Sequence, residues 1–276
     1  MSEVLAVRAG FWVRRPGLVL SVVVLAVAVL WAVVPSAFTS YDPLAGVPRE
    51  KLRGPSAAHL FGTDETGRDV FARVVHGAGL SLRATLLAVL IALVVGSVLG
   101  LIAGARGGWL DSVLMRVMDV LLAIPPILLS LALVTALGFG TTKVAIAVGV
   151  ANVANFARLM RAEVIRVRTG VYVEAARASG VRWFGVLTRH ILPNALGPVV
   201  VLAVLTFGTA VLEISALSFL GYGATPPSPE WGSLVSAGRA YLASAWWMTT
   251  LPGLVIAAVV LAANRLSRAL DGERDE

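Results

Sequence analysis

The residues of this sequence that could carry out chemistry are few and widely spaced. The three histidines, His59, His76 and His190, lack the spacing of metal ligands, and the absence of cysteine excludes thiolate sites and disulfides. Neither lysine follows a glycine, so the chain has no phosphate-binding G-x-x-x-x-G-K-[ST] loop; if ATP drives this protein, another chain binds it. The apolar segments hold no nucleophile paired with a base, which argues against an intramembrane enzyme. We therefore predict no catalytic residue and no metal site.

One carboxylate, Glu213, lies deep within an apolar stretch. An ionisable group at such a depth usually faces the interior of a helix bundle or a water-filled path. Two interpretations remain open. Glu213 belongs to a translocation pathway, or it is a structural carboxylate hydrogen-bonded to another helix, such as the sixth.

The elements that would position these residues are transmembrane helices. Hydrophobic residues make up 58% of the 276 residues and charged residues 14%, against about 25% charged in soluble domains. A span needs about 20 apolar residues. Six such stretches are predicted: 16–38, between Arg83 and Arg106, between Asp119 and Lys143, 141–160, from Arg189 past Glu213 to Leu220, and between Arg239 and Arg265. The fourth is the shortest in apolar length, with Lys143 and Arg158 at its ends.

The charges predict an orientation. Six spans place both termini on one side, and if that side is the cytoplasm, 15 of the 23 basic residues lie inside. This bias fits the positive-inside rule. The net charge of +7 is thus explained by topology and not by nucleic-acid binding.

The predicted spans and their orientation divide the chain into consecutive segments. We predict a cytoplasmic N-terminus (1–15), a first transmembrane helix (16–38), an extracytoplasmic loop (39–80), a five-helix core (81–268) containing a cytoplasmic loop (161–193), and a cytoplasmic tail (269–276). Prolines make the first half of the 39–80 loop irregular. The 161–193 loop is predicted to be helical after Gly170 and to stop at Pro193. Trp183 and Phe184 in that loop need a partner to cover them.

A motif in the 161–193 loop carries a resemblance. Glu174-Ala175-Ala176 is followed by Gly180 and then by Leu192-Pro193. This pattern resembles the EAA loop of binding-protein-dependent ABC permeases, which docks into the ATPase subunit. Small alanines allow close approach of a partner, and a glycine permits a bend. The resemblance assigns ATPase coupling to Glu174, Ala175, Ala176, Gly180, Leu192 and Pro193.

Further motifs are similar to the C-type subunit of the dipeptide/oligopeptide permeases, in the peptide/nickel branch. They are the H-x-x-G-T-D-x-x-G-R-D block from His59 to Asp69, L-A-I-P-P at 122–126, L-S-F-L-G-Y-G at 217–223 with P-P-S-P-E-W-G at 226–232, and A-W-W at 245–247. Gly79 stands where that family usually has arginine. Pro125-Pro126 indicates a helix kink, with direct solute contact as the alternative. Trp246 and Trp247 indicate an interfacial anchor.

The resemblance implies an all-α membrane protein of six transmembrane helices, an ABC importer permease (MetI-like) bundle with a cytoplasmic EAA coupling loop. Its function would be ATP-driven import of di- or oligopeptides. One alternative is a protein of the same architecture that imports nickel or another small solute. An alternative of another class is a secondary transporter or channel without ATPase. Implied partners are a second homologous permease chain, two ATP-binding subunits carrying ATP and Mg, an extracytoplasmic solute-binding protein and the lipid bilayer of the bacterial cytoplasmic membrane. No cofactor is expected on this chain.

Overall fold

The computed structural model describes residues 16–272, and within that range the chain is almost entirely helical. The helices are α1 (Pro16–Val33), α2 (Val70–Arg106), α3 (Gly108–Leu122), α4 (Pro126–Leu137), α5 (Thr141–Arg168), α6 (Val171–Ala178), α7 (Trp183–Val186), α8 (Leu192–Phe219), α9 (Trp231–Gly238) and α10 (Trp247–Gly272). The predicted N-terminal segment 1–15 and residues 273–276 of the predicted tail lie outside the described residues, as do the four arginines they contribute to the charge count.

Five helical stretches of the described range are long and apolar enough to cross a membrane. They are α1, α2, α5, the continuous helix from Trp183 to Phe219, and α10. The pair α3 and α4 meets the same criteria when taken together. Counting that pair as one broken span gives six, which is the number predicted from the sequence.

The third predicted span is not a single helix. α3 and α4 meet at an angle of 92° across a break of a few residues that contains Pro125. Proline disfavours a helical conformation in the residue before it and lacks the N–H that a continuous helix requires. Pro126 occupies the first position of α4, where a missing N–H is tolerated. The kink interpretation of this proline pair is therefore confirmed.

The predicted helix stop at Pro193 is wrong. The helix runs from Trp183 through Pro193 to Phe219. A π-helical turn at Leu187–Ile191 precedes the proline, and the N–H of Leu192 donates to the carbonyl of Leu187, five residues back. The wider turn accommodates the residue without an N–H, so the 161–193 loop merges with the fifth span.

Helix α2 begins earlier than the sequence indicated, at Val70, within the segment predicted as the 39–80 loop. Asp69 caps it, since its Oδ1 accepts a hydrogen bond from the N–H of Ala72 at 2.6 Å. Helix α1 ends at Val33, before a short 3-10 turn that starts with Pro35 and lies inside the predicted first span of 16–38.

The chain forms two compact units. The first comprises 16–85, 138–144 and 207–272 of the described residues, and the second comprises 86–137 and 145–206. In the first, Trp231 is fully buried; its indole N–H donates to the carbonyl of Val74 (2.9 Å), and its backbone N–H to Ser81 Oγ (3.1 Å). These bonds join the start of α9 to α2.

In the second unit, α2 packs closely against α5 through three glycines spaced four residues apart. A Cβ at Gly96 would lie 2.5 Å from that of Phe156, and one at Gly104 would lie 2.9 Å from the carbonyl oxygen of Arg161; Gly100 lies between them and is equally tight. Small residues at this spacing allow helix backbones to approach in membranes. Because α5 is largely covered by protein, it needs fewer apolar residues than a span that faces lipid. It also extends to Arg168, beyond the predicted end at residue 160.

Candidate functional site

The six residues assigned from the EAA resemblance lie together on one surface element, residues 171–193, which we call the 171–193 segment. It consists of α6, a turn, α7, the π-helical turn and the start of α8. Val173, Val186 and Ile191 are fully buried and pack in the same cluster as Phe156 and Met160 of α5. The segment is therefore anchored at three points to the core of the second unit.

Gly180 ends α6 through a specific hydrogen-bond pattern. Its φ is +81°, in the left-handed region that glycine adopts without steric cost. The N–H of Gly180 donates to the carbonyl of Arg177 (3.0 Å), and the N–H of Val181 donates to that of Ala176 (3.1 Å). These two bonds form a Schellman cap, which explains why glycine follows the last alanine of the motif by four residues.

The outer surface of the 171–193 segment combines small, apolar and charged side chains. Glu174, Ala175 and Pro193 are exposed, and Ala176 and Leu192 are half-buried. Four large apolar residues also lie on the surface of the chain, with exposed fractions of 81% for Val171, 49% for Tyr172, 45% for Trp183 and 73% for Phe184. The need for a partner to cover Trp183 and Phe184, expected from the sequence, therefore persists in the folded chain.

Ionic and hydrogen-bonded contacts fix the end of α5, from which the segment departs. Arg161 Nη2 donates to Asp111 Oδ2 of α3 at 2.7 Å, and Arg168 Nη1 donates to the carbonyl of Gly104 at the end of α2, also at 2.7 Å. These contacts connect the end of α5, and with it the start of the segment, to α2 and α3.

Glu213 is not part of this surface. It lies on the portion of α8 that belongs to the first unit, is half-buried, and is engaged by a neighbouring group. The six EAA residues thus lie on one segment of the second unit, and Glu213 lies in the first unit. Its two interpretations, pathway and structural, both stay predictions.

The most completely buried carboxylate of the described residues is Glu230, which we did not single out from the sequence. It is 1% exposed; Oε1 accepts from Ser218 Oγ at 2.6 Å, Oε2 accepts from the N–H of Ala224 at 3.0 Å, and Thr141 also donates to it. Burial raises the pKa of Glu230, while the three hydrogen bonds oppose that rise. The signal was its place between the prolines and Trp231, as the one ionisable residue of the motif at 226–232.

The H-x-x-G-T-D-x-x-G-R-D block forms an ordered network before α2. His59 Nδ1 lies 2.8 Å from Asp69 Oδ2, and His59 Nε2 lies 3.4 Å from Glu50 Oε2. Thr63 donates its hydroxyl proton to the carbonyl of Glu50 and accepts from the N–H of Arg53. The block therefore serves to fold the loop and cap α2 at Asp69.

Asp64 and Arg73 form a second part of this network. Burial alone would raise the pKa of Asp64, but hydrogen bonds from Arg68 and Thr66 outweigh it and lower the pKa below the usual value. The Arg73 guanidinium donates to the carbonyl of Pro43 at 2.9 Å and to that of Pro227 at 3.4 Å. A buried arginine thus ties this loop to the loop before α9.

The structure gives the positions of two residues singled out from the sequence, Trp247 and Gly79. Trp247 is buried, and its indole N–H donates to the carbonyl of Thr63 at 3.1 Å, so the interfacial-anchor interpretation is wrong for this residue; Trp246 is exposed. Gly79 faces α1, where a Cβ would lie 3.4 Å from the carbonyl oxygen of Ala32. Glycine here permits close approach of α1 to α2.

Within residues 16–272 no group of three or more histidine, aspartate or glutamate side chains is placed to hold a metal ion. The 171–193 segment is the described surface at which the residues of the EAA motif and exposed apolar side chains occur together. It offers apolar side chains and small residues on a firmly anchored support.

Comparison with known proteins identifies the family. Residues 96–274 match the family described as binding-protein-dependent transport system inner membrane component. The dipeptide transport system permease protein DppC of Alkalihalophilus pseudofirmus is 43% identical over 93% of this chain and 84% of its own length. The probable D,D-dipeptide transport system permease protein DdpC of Escherichia coli is 39% identical over 94% of this chain and 86% of its own length.

Among solved structures, an inward-facing form of the MetNI methionine ABC transporter matches with a TM-score of 0.58 and 22% identity, covering 71% of this chain and 95% of that one. This likeness supports the predicted fold class. The chain belongs to the family of binding-protein-dependent transport system inner membrane components, as the non-catalytic, membrane-spanning permease subunit of an ABC importer.

Proposed function

We propose that this chain imports di- or oligopeptides and that its 171–193 segment is the surface through which an ATPase subunit drives it. The observation that carries the coupling role is an exposed apolar face, with Phe184 and Val171 at its most exposed points, on a segment whose opposite side is fully buried. Such a face is expected to be covered by a partner. Glu174, Ala175, Ala176, Gly180, Leu192 and Pro193 form the EAA part of that surface.

The family implies an ATPase and a binding protein as partners and an integral membrane location. In our proposal the assembly holds two ATP-binding subunits, which carry ATP and Mg, a second homologous permease chain, and an extracytoplasmic solute-binding protein. Both termini face the cytoplasm, which places the 171–193 segment on the same side as the ATPases. The distribution of arginine supports this orientation.

The names of several relatives support peptides as cargo. Transport systems for a dipeptide, a D,D-dipeptide and glutathione all contain a permease at least 39% identical to this chain. In the proposed pathway Glu213 provides a polar group on α8.

The experiment is uptake of a radiolabelled dipeptide into vesicles containing the complete transporter, with ATP inside. ATP-dependent uptake that requires the solute-binding protein is the expected result. Uptake without ATP would contradict the coupling, and nickel uptake without peptide uptake would contradict the cargo.

A further inference from the structure

A groove runs along the contact between α1 and α10, both in the first unit. It contains a cavity of about 750 Å³ towards the start of α1 and the end of α10, and a second of about 220 Å³ further along the same helices. Val24 and Ala258 line both cavities, so the two form one continuous groove.

One end of the groove is basic. Arg265 and Arg268, three residues apart on α10, both line the larger cavity and are exposed. Neither forms an ion pair with any residue in the described range, and the lining contains no acidic residue; Asp271 is the only carboxylate of α10. The Arg265 guanidinium lies directly over Gly17, at a place that any side chain at position 17 would occupy. Within residues 16–272, neither of the two arginines at the mouth of the groove is paired with a carboxylate.

The rest of the groove is apolar. The smaller cavity is lined by Val27, Trp31, Val255 and Val259 together with the shared residues, and its lining has almost no polar surface. Leu20 and Leu261, at the rim of the larger cavity, are 63% and 68% exposed. Charge complementarity along the groove thus fits an amphipathic ligand with an anionic head and an apolar tail.

The length of α10 predicts where its two arginines lie relative to a bilayer. Arg265 follows Trp247, at the start of α10, by eighteen residues, which is about 27 Å at the helical rise. The hydrocarbon core is about 30 Å thick. Because α10 is long and apolar enough to cross a membrane, we expect its basic end near one interface and the apolar part of the groove within the acyl-chain region.

We propose that this groove binds an anionic phospholipid, with the phosphate at Arg265 and Arg268 and one acyl chain between α1 and α10. Basic pockets between transmembrane helices are a recurrent form of lipid headgroup site. Asn264 also belongs to the lining, but its Oδ1 is buried against Gly208 of α8 and does not face the groove.

The test uses the transporter purified with all its subunits and placed in phosphatidylcholine nanodiscs. The probe is phosphatidylglycerol carrying a photoreactive diazirine on one acyl chain. After illumination, mass spectrometry of the digested chain should show label on α1 and α10, in residues 16–31 and 254–268. Unlabelled phosphatidylglycerol should compete, and phosphatidylcholine and inorganic phosphate should not.

Three variants separate the contributions to binding. Each arginine near an anionic headgroup contributes roughly a five-fold gain in affinity, so Arg265→Gln with Arg268→Gln should weaken competition by phosphatidylglycerol about thirty-fold. Ala258→Phe keeps both charges but fills the groove, and it should also reduce labelling. Arg116→Gln, which removes an exposed arginine of α3 in the other unit, is the matched control and should leave labelling unchanged.

The proposal is overturned if phosphatidylcholine competes equally, because the headgroup is then not recognised. It is also overturned if inorganic phosphate displaces the probe, which would indicate a simple anion site, or if α1 and α10 stay unlabelled in the assembled transporter, which would indicate that another chain covers the groove. The competition measurements on the unaltered protein decide the matter even if the arginine variants do not assemble.

Discussion

Phe184 offers a sharp test of the coupling surface because its side chain is 73% exposed and can be removed without opening a cavity. Phe184→Ala should therefore change the stability of this chain by no more than about 0.5 kcal/mol. An aromatic side chain covers roughly 150–250 Å² when buried, so about 110–180 Å² of Phe184 is available to a partner. At about 25 cal/mol per Å² this area corresponds to roughly 3–4.5 kcal/mol.

Only part of this free energy would be lost, since alanine keeps its Cβ and ordering the ring on binding costs about 1 kcal/mol. We expect a loss of roughly 2 kcal/mol, or about thirty-fold weaker binding of the ATPase. The assay measures the affinity of purified ATPase subunits for the permease pair in nanodiscs, together with solute-stimulated ATP hydrolysis.

Phe139→Ala is the matched control. Phe139 is 65% exposed, lies between α4 and α5, and stacks on Tyr222 with ring centroids 5.6 Å apart. Its removal should not alter ATPase binding. If Phe184→Ala binds the ATPase within two-fold of the unaltered chain, or if Phe139→Ala weakens binding as much, the 171–193 segment is not the docking surface.

Four further outcomes are expected. Gly180→Trp should abolish transport and ATPase co-purification at normal membrane abundance, because it adds a bulky group and left-handed backbone strain at the exposed turn, where a Cβ meets nothing of this chain within 4 Å. Glu230→Gln should lower the melting temperature in detergent, since an amide nitrogen cannot accept the proton of a donor now bonded to the carboxylate, at a cost of about 1–3 kcal/mol. Glu213→Leu should impair transport or assembly. Single cysteines at the exposed positions Ser56 and Ser179 should react with an impermeant reagent from outside and from the cytoplasm, respectively.

Each outcome has a contrary result that is equally clear. Gly180→Asn is the control for the tryptophan variant, because asparagine tolerates the left-handed region better than other side chains. Unchanged transport in Gly180→Trp would remove the glycine from the docking surface. An unchanged melting temperature in Glu230→Gln would show that the buried bonds contribute little. Normal transport at normal abundance in Glu213→Leu would make that carboxylate dispensable, and the reverse cysteine pattern would invert the topology.

Local properties of the sequence were sufficient for the spans and for single-residue geometry. A run of about twenty apolar residues must either cross a membrane or be buried by other parts of the protein, whatever residues flank it. This rule predicted the positions of the long helices. Pro125 and Gly180 acted through their own backbone chemistry, so the kink and the bend followed from residue type; the structure adds that Gly180 bends the chain in the left-handed region.

Sequence reasoning failed where a neighbouring turn or a distant residue decided the outcome. Pro193 reads as a helix stop, but the π-helical turn before it removes the conflict. From the sequence, Trp247 was interpreted as an interfacial residue. In the structure its indole N–H donates to the carbonyl of Thr63, 184 positions earlier in the chain.

The sequence by itself determined that this chain spans the membrane several times, because hydropathy and charge bias are properties of short segments. The permease assignment came from the resemblance of its EAA motif to a known family. Only the tertiary structure decided which polar groups are buried and which surfaces are left open. Glu230 is satisfied by donors from Thr141, Ser218 and Ala224, which no local pattern connects. The basic groove exists because Gly17 and Arg265, at opposite ends of the chain, come into contact. Contacts between residues that are remote in sequence are determined by tertiary packing, and a short segment of the sequence holds no information about them.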